Sequence, residues 1–149
     1  MERDSLNSQH FVRLVQQGGG SDYLSGNYRF DTLHSGISLH GGCVTAQKDF
    51  QSTQLAEPYI SFILLLEGRL DFAINQNRYQ IEADGGRVVL IAAEEEILFS
   101  RYLYQGEKTA KITLKGIEQW LSQPQYAAML PAVYRETVRH WHLSDELRA

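Results

Sequence analysis

The chain has 149 residues, of which 43% are hydrophobic and 21% are charged, and its formal net charge is -4. These values are ordinary for one soluble domain with a single hydrophobic core. The acidic balance argues against broad binding to a nucleic-acid backbone by this segment, because such binding needs clustered lysine and arginine. The single cysteine, Cys43, excludes an internal disulfide, and no apolar run approaches the roughly 20 residues of a membrane-spanning helix.

The first 27 residues predict a short helix and a mobile arm. Within residues 5–17, Phe11, Leu14 and Val15 recur at the spacing of one helix face. The stretch GGGS at 18–21 ends this helix with a flexible joint. Since the segment lacks the long apolar region of a signal peptide, we expect a cytoplasmic protein.

Residues 28–116 carry the pattern of an antiparallel barrel or sandwich. Tyr59 to Leu66 is a continuous apolar run, typical of a strand buried on both faces. Short alternating strands follow, and turn signals separate them at 75–77, 84–86 and 105–107. The alternation predicts a set of inward-facing apolar side chains: Leu70, Phe72, Ile74, Tyr79, Ile81, Ala110, Ile112 and Leu114. Gly41-Gly42 predicts a further turn earlier in this region.

Residues 117–149 predict a helical segment. Its apolar residues recur at helical spacing over about three turns and form a candidate dimerisation stripe: Leu130, Val133, Tyr134, Val138 and Trp141. Large aromatic residues of this kind are favoured at interfaces, so we expect a homodimer, with packing on the chain's own barrel as the alternative. Residues 144–149 predict the start of another helix, which suggests a fragment of a longer protein.

No catalytic residue, metal site or cofactor is predicted. A metal site inside a barrel needs two histidines one residue apart on a strand, and the run from Tyr59 to Leu66 contains none. His140 and His142 have that spacing, but on the predicted helix their side chains point apart. His40 and Cys43 could contact a soft metal, although an ordinary histidine and a small buried cysteine are the favoured interpretation.

A candidate ligand site follows from the aromatic residues and one arginine. Ligand pockets favour aromatic walls with few polar groups, although simple core packing is the alternative. Arg101 is in phase with three apolar residues, so an interior position would require an acidic partner or an anionic ligand. An internal salt bridge or an outer face remain open for it. The candidate ligand-binding residues are Phe62, Leu64, Phe72, Tyr79, Phe99 and Arg101.

Four stretches of the sequence have a familiar pattern: LLEGRLDF at 65–72, the turn into Arg78-Tyr79, FSRYLYQGE at 99–107, and KITL at 111–114 leading to EQWL at 118–121. They resemble the N-terminal effector domain of the arabinose-regulator (AraC) family of bacterial transcription factors, and within it the regulators of siderophore uptake. The resemblance covers roughly residues 30–125 and concerns structural motifs more than catalytic ones.

The resemblance implies a mainly β fold, a cupin-like antiparallel jelly-roll barrel followed by C-terminal helices. It also implies a barrel that senses a small-molecule effector, with a siderophore-like ligand as a candidate, and a homodimer without a membrane partner. DNA would be bound only through a C-terminal domain with two helix-turn-helix motifs that lies outside this chain. The alternative is a small cupin-type metal-dependent enzyme, an isomerase or a dioxygenase, which requires histidines and carboxylates inside the barrel.

Overall fold

The computed structural model describes residues 23–33 and 36–144, together with the backbone of residues 4–7. Its strands are β1 (Asp4–Asn7), β2 (Leu24–Thr32), β3 (Ser38–Ala46), β4 (Phe50–Ala56), β5 (Tyr59–Glu67), β6 (Arg69–Ile74), β7 (Asn77–Glu82), β8 (Arg87–Ala93), β9 (Ile97–Leu103), β10 (Lys108–Lys115) and β11 (Val138–His142). The helical elements are α1 (Ile117–Leu121), a 3-10 turn (Ala127–Met129) and α2 (Leu130–Val133). None of these helices has the length and apolar character that crossing a membrane requires.

The strands form two sheets that face each other as a barrel. One sheet has the order β1-β4-β9-β6-β7 and the other the order β11-β8-β5-β10-β3-β2. All pairings are antiparallel except that of β1 with β4. The predicted fold class, a mainly β cupin-like barrel with helices near the C-terminus, is therefore confirmed.

Between the sheets lies an apolar core. Its buried members are Ile63, Leu65, Leu70, Phe72, Ile74, Ile81, Ala83, Val89, Ile91, Ala93, Ile97 and Phe99. Alternation places the side chains of every second strand residue on this inner face, which confirms the predicted inward positions in β6 and β7. The turn at Asn75 is also confirmed: this residue has a φ of 56°, and its side-chain oxygen accepts a hydrogen bond from the Leu98 amide at 3.0 Å.

The C-terminal elements pack on the outside of the barrel. Ile117 and Leu121 of α1 join Ile60, Leu90 and Ala92 in a second buried cluster, and several half-buried side chains cover it: Phe62, Leu114, Tyr126, Leu130, Val133 and Tyr134. Strand β5 thus has apolar neighbours on both faces, as its continuous apolar run predicts. The predicted helix that includes Trp120 and Leu121 is confirmed as α1.

The predicted long helix across Leu130 to Trp141 is wrong. Helix α2 ends at Val133, and β11 pairs with β8 from Val138 to His142. The apolar spacing fits a helix, but the stretch TVRHWH also contains the β-branched and aromatic residues that strands favour. The open edge of β8 supplies backbone partners and decides between the two; one of these bonds joins the Ala92 amide to the Thr137 carbonyl at 2.9 Å.

Two further predictions meet the structure at the other end of the chain. The predicted helix over 5–17 is wrong at 5–7, where the backbone is extended and pairs with β4; the rest of that helix, the joint at 18–21 and the predicted helix end beyond Ser144 lie outside the described residues. Gly41-Gly42 is not a turn but lies within β3. A Cβ on Gly42 would lie 2.0 Å from the Asn27 carbonyl oxygen, so the close approach of β2 requires glycine here.

Candidate functional site

A cavity of about 110 Å³ lies inside the barrel. One side of it is formed by the apolar core, through Ile63, Leu70, Phe72, Ile91 and Phe99. Another part of the lining, here called the polar wall, is formed by Tyr28 of β2, His40 of β3 and the inner face of β10 with Lys111, Thr113 and Lys115. A volume of this size is somewhat below that of an engineered core cavity, about 150 Å³, that accepts benzene.

The inner face of β10 corrects the sequence prediction. Ala110, Ile112 and Leu114 were predicted to face inward, but their polar neighbours line the cavity instead: Thr109, Lys111, Thr113 and Lys115. Leu114 packs against the outer cluster under α1, and Ile112 is 40% exposed. The apolar face of β10 is turned outward, where the cluster that includes α1 takes up Leu114 but leaves Ile112 exposed.

Burial acts strongly on the lysines of the polar wall. Burial, together with the positive charges of Arg101 and Lys115, lowers the pKa of Lys111 to about 7. Burial and Arg101 also lower the pKa of Lys115, whereas the nearby Glu118 carboxylate acts in the opposite direction. In the part of the chain that the structure describes, the Lys111 ammonium group makes no ion pair or side-chain hydrogen bond.

Tyr28 and His40 form a neutral pair next to these lysines. The Tyr28 hydroxyl and His40 Nδ1 are 2.9 Å apart, and the His40 ring stacks on Phe30 with ring centres 5.3 Å apart. Burial, followed by the charges of Lys111, Lys115 and Arg101, lowers the pKa of His40 to about 3, so the imidazole is neutral near pH 7. Burial raises the pKa of Tyr28 to about 12, so its hydroxyl keeps its proton.

A glycine separates Tyr28 from Lys111 in the register of the sheet, where β2 approaches β3 too closely for a side chain. In the register of the sheet, Tyr28 is opposite Gly42, and Gly42 is opposite Lys111. Alternation along β3 gives Gly42 the inward position between His40 and Val44, both of which line the cavity. The inner face at this point therefore carries no side chain between the phenol and the ammonium group.

Hydroxyl groups complete the polar lining. Thr113 is 4% exposed, and its buried Oγ1 has no hydrogen-bond partner among the residues that the structure describes. Ser61, opposite Lys115 on β5, is 2% exposed and also lines the cavity. Tyr59 lies near the Lys115 ammonium group, which is 5.2 Å from its ring centre, and burial raises the pKa of this tyrosine to about 12.

Arg101 lies inside the barrel rather than on its outer face. It lines the cavity, and its Nη1 donates to Ser52 Oγ at 3.2 Å. Its guanidinium carbon is 5.1 Å from the centre of the Phe99 ring. Burial lowers the pKa of this guanidinium, and the interior position adds a third cation to the same space.

The acidic side chains that line the cavity are already paired. Asp71, 5% exposed, accepts two bonds from Arg78 at 2.8 and 2.9 Å and further bonds from Gln80 and Tyr104. Burial alone would raise the pKa of Asp71, but these hydrogen bonds outweigh it and the pKa is lowered. Glu107 pairs with Arg69 at 2.8 Å.

The structure divides the predicted ligand-binding residues. Phe72, Phe99 and Arg101 line the cavity. Tyr79 lies behind Phe72 and stacks on it with ring centres 5.3 Å apart, whereas Phe62 packs in the outer cluster and Leu64 does not line the cavity. Sequence reasoning missed the whole polar wall, although the regular polar alternation in KTAKITLK is a signal that could have identified it.

The residues of the predicted dimerisation stripe are also separated. Leu130, Val133 and Tyr134 cover the outer cluster of their own barrel, and Val138 packs against the apolar core. Trp141, on the edge strand β11, remains 37% exposed. The stripe is therefore not one continuous surface.

A metal centre finds few ligands here. Within residues 23–33 and 36–144, no three side chains of His, Cys, Asp or Glu come together as a possible metal site. His40 faces the cavity, whereas Cys43 does not line it. What the site offers is ammonium, guanidinium and hydroxyl donors beside aromatic rings.

Comparison with solved structures finds distant neighbours. The chain is similar to a cupin protein from Bacteroides fragilis, with 11% identity, 58% of this chain and 75% of that chain covered, and a TM-score of 0.43. It is similar to the plu4264 protein from Photorhabdus luminescens, with 14% identity, coverages of 72% and 85%, and a TM-score of 0.46. A salicylate 1,2-dioxygenase from Pseudaminobacter salicylatoxidans gives 7% identity, coverages of 88% and 35%, and a TM-score of 0.46. A search of curated proteins gives no match.

A family model covers most of the chain. The model described as the N-terminal domain of the regulatory protein PchR matches residues 25–149. The resemblance to the N-terminal domain of a regulator, which the sequence motifs suggest, is thereby confirmed. The chain belongs to the family of PchR-type regulatory N-terminal domains.

Proposed function

We propose that this chain is the small-molecule-sensing and dimerisation domain of a bacterial AraC-type transcriptional regulator. In that role it controls DNA binding by a C-terminal helix-turn-helix domain and acts in the cytoplasm. The observation that carries the proposal is the cavity of about 110 Å³ with its polar wall, in a chain that belongs to a family of regulatory domains. A barrel built only for stability would have an interior filled with apolar side chains.

The chain offers a direct route from the cavity to its C-terminal segment. Lys115 is the last residue of β10 and is followed by Gly116, in a left-handed conformation with a φ of 87°, and then by α1. Glu118 of α1 accepts a hydrogen bond from the Ile60 amide at 3.3 Å, and its other carboxylate oxygen is buried with no partner among the described residues. A ligand that moves Lys115 would therefore act on α1 and on the residues that α1 packs against.

Such a route works as a population shift. A ligand that binds one arrangement of β10 and α1 more tightly than another favours that arrangement by the difference in binding free energy. A coupling of about 1–3 kcal/mol, typical of allosteric proteins, changes the affinity of the second site by about 5- to 150-fold.

The test uses the full-length regulator and its DNA site. A thermal-shift screen of the 149-residue chain first identifies a compound that binds, and DNA affinity is then measured by fluorescence anisotropy with and without that compound. We expect the DNA affinities with and without the compound to differ by at least about fivefold. Equal DNA affinity at saturating compound would contradict the sensing role.

A matched pair of variants assigns the response to the cavity. Ser61→Leu adds apolar volume to the buried inner face of β5 and should abolish both the thermal shift and the change in DNA affinity. Ser100→Leu changes a half-buried serine of β9 that does not line the cavity and should preserve both.

Self-association is proposed through the edge of the six-stranded sheet. Strand β11 is the terminal strand of that sheet, and exposed edges pair readily with a second copy. Trp141 on this strand provides an aromatic contact, since it is 37% exposed while other residues of the predicted stripe are used within the chain. Sedimentation should show a dimer that Trp141→Lys weakens.

The enzyme alternative, a cupin-type isomerase or dioxygenase, is not favoured. The family is a regulatory one, and the described residues provide no cluster of three metal-binding side chains.

A further inference from the structure

We propose that the cavity is a binding site for a small organic carboxylate, whose negative charge is held by Lys111 and Lys115 with Thr113 between them. This inference rests on the proposed sensing function, because it names the chemical class of the effector. Nothing in the family description specifies that class.

The arrangement of β10 places the three polar groups on one line. Lys111, Thr113 and Lys115 occupy successive inward positions of a single strand, and all three line the cavity. Thr113 lies halfway between the lysines, so its hydroxyl and both flexible ammonium groups can reach the same ligand. Two cations and a hydroxyl donor match the two oxygen atoms of a carboxylate.

Charged and titratable groups surround the two lysines on several strands. Arg101 faces it from β9, while His40 from β3 is neutral, and Tyr28 from β2 and Tyr59 from β5 keep their protons. The lining carboxylates, Asp71 and Glu107, are occupied by Arg78 and Arg69. Of the two lysines, only Lys115 has its pKa raised by the Glu118 carboxylate.

Buried cations without an acidic partner are costly in a folded protein, so they are retained where an anion neutralises them. The negative charge of Glu118 raises the pKa of Lys115, but the Lys111 ammonium group has no acidic partner among the described residues.

An independent observation points to the same place. The Thr113 hydroxyl is buried, lines the cavity and lacks a hydrogen-bond partner in the described part of the chain. Buried polar groups are paired in the great majority of cases, and an unpaired one marks a missing partner. A ligand carboxylate oxygen would accept a hydrogen bond from the Thr113 hydroxyl.

The rest of the cavity fits an apolar, flat body. Phe72 and Phe99 stack on each other with ring centres 5.6 Å apart and form part of the lining. A volume of about 110 Å³ is of the order of an engineered cavity that binds benzene, so a single ring is a suitable probe. The favoured ligand is therefore an aromatic or short aliphatic carboxylate.

The experiment compares matched charged and neutral probes by isothermal titration calorimetry of the 149-residue chain at pH 6.5. Benzoate and benzamide have the same ring and nearly the same size, and acetate and acetamide form a smaller pair in case a ring is too large. Inorganic phosphate tests whether charge alone is enough. Each probe is titrated into the wild type, Lys111→Met, Lys111→Gln, Thr113→Val and Lys108→Met. Lys108, on the same strand, is exposed and pairs with Glu67, so Lys108→Met is the control.

We expect a carboxylate to bind at least tenfold more tightly than its amide and more tightly than phosphate. Lys111→Met and Lys111→Gln should each weaken carboxylate binding at least tenfold without affecting the amide, Thr113→Val should weaken it severalfold, and Lys108→Met should not change it. Equal binding of carboxylate and amide would overturn the anion site while leaving small-molecule sensing intact. Carboxylate binding that survives both Lys111 variants, or no binding of either carboxylate in the millimolar range, would also overturn it.

Discussion

The apolar core and the polar wall lie next to each other inside one barrel, but the first consists of apolar side chains and the second of charged, hydroxyl and imidazole groups. Leu65 and Lys111 show the contrast most clearly, because they are directly paired in the register of β5 and β10. Leu65 has no exposed surface and lies among other apolar side chains. Lys111 lies next to it with a pKa lowered to about 7 and no acidic partner among the described residues.

The difference teaches which part of the barrel maintains the fold and which part is reserved for another task. Apolar burial contributes about 25 cal/mol per Å² and requires nothing further to be satisfied. Ammonium and hydroxyl groups inside the barrel lower the free energy of unfolding when no hydrogen-bond partner or counter-charge is bound to them. Substitutions on the two sides should therefore have effects of opposite sign on the free energy of unfolding.

The largest effect is expected in the apolar core. Leu65→Ala removes a fully buried side chain and should lower the free energy of unfolding by about 2–5 kcal/mol. The neighbouring Leu66 is 46% exposed, so Leu66→Ala should change it by less than about 0.5 kcal/mol. Urea denaturation of both variants measures the two free energies of unfolding. Equal decreases would contradict the assignment of Leu65 to the buried face and Leu66 to the exposed face of β5.

A smaller loss is expected where polar groups of the cavity lining are fully paired. Asp71→Asn removes the charge that Arg78, Gln80 and Tyr104 share and should cost about 2–3 kcal/mol. The matched control is Glu67→Gln, because the ion pair of Glu67 with Lys108 spans 3.9 Å between two side chains that are each 54% exposed. That control should cost less than about 0.5 kcal/mol. Similar losses in both variants would mean that burial does not strengthen the Asp71 network.

The polar wall should respond in the opposite direction. Lys111→Met keeps the length of the side chain, removes a half-buried charge that lines the cavity and should raise the free energy of unfolding by about 1–2 kcal/mol at pH 6. Lys108→Met, at the exposed start of the same strand, should leave it within about 0.5 kcal/mol.

The gain should also depend on pH. In the folded protein the pKa of Lys111 is about 7, whereas its ordinary value is 10.5, so the unfolded chain binds the proton more tightly. The wild type is therefore penalised below pH 7 and recovers stability as the pH rises from 7 towards 10.5. The advantage of Lys111→Met should be smaller at pH 9 than at pH 6, and a pH-independent advantage would contradict a buried charge.

Local patterns in the sequence were enough to predict the barrel. The apolar run of β5 and the turns at Asn75 and at Asp84-Gly85 are short-range signals. Asn75, Asp84 and Gly85 all have positive φ values, as expected for turns. Strand β11 was not predictable in this way, because its state depends on the open edge of β8, which is distant in sequence.

The candidate site was predicted only in part for a related reason. Phe72, Phe99 and Arg101 follow from alternation within one strand pair. The inward face of β10 depends on which side α1 covers, and alternation gives two faces without saying which one is inside. Assigning the apolar face to the interior is the usual rule, and it fails here because the interior contains a polar cavity.

The central claim is that Lys111 of the polar wall binds an anion. The pKa of the Lys111 ammonium group, measured with and without ligand, tests it directly. Nuclear magnetic resonance of the chain with labelled lysine follows the Lys111 side chain through a pH titration, and the Lys111→Met variant assigns its signal. We predict a pKa near 7 in the free protein and a clearly higher pKa at saturating benzoate, because the bound carboxylate stabilises the ammonium form. A pKa near 10.5 without ligand, or one that benzoate leaves unchanged, would contradict the account.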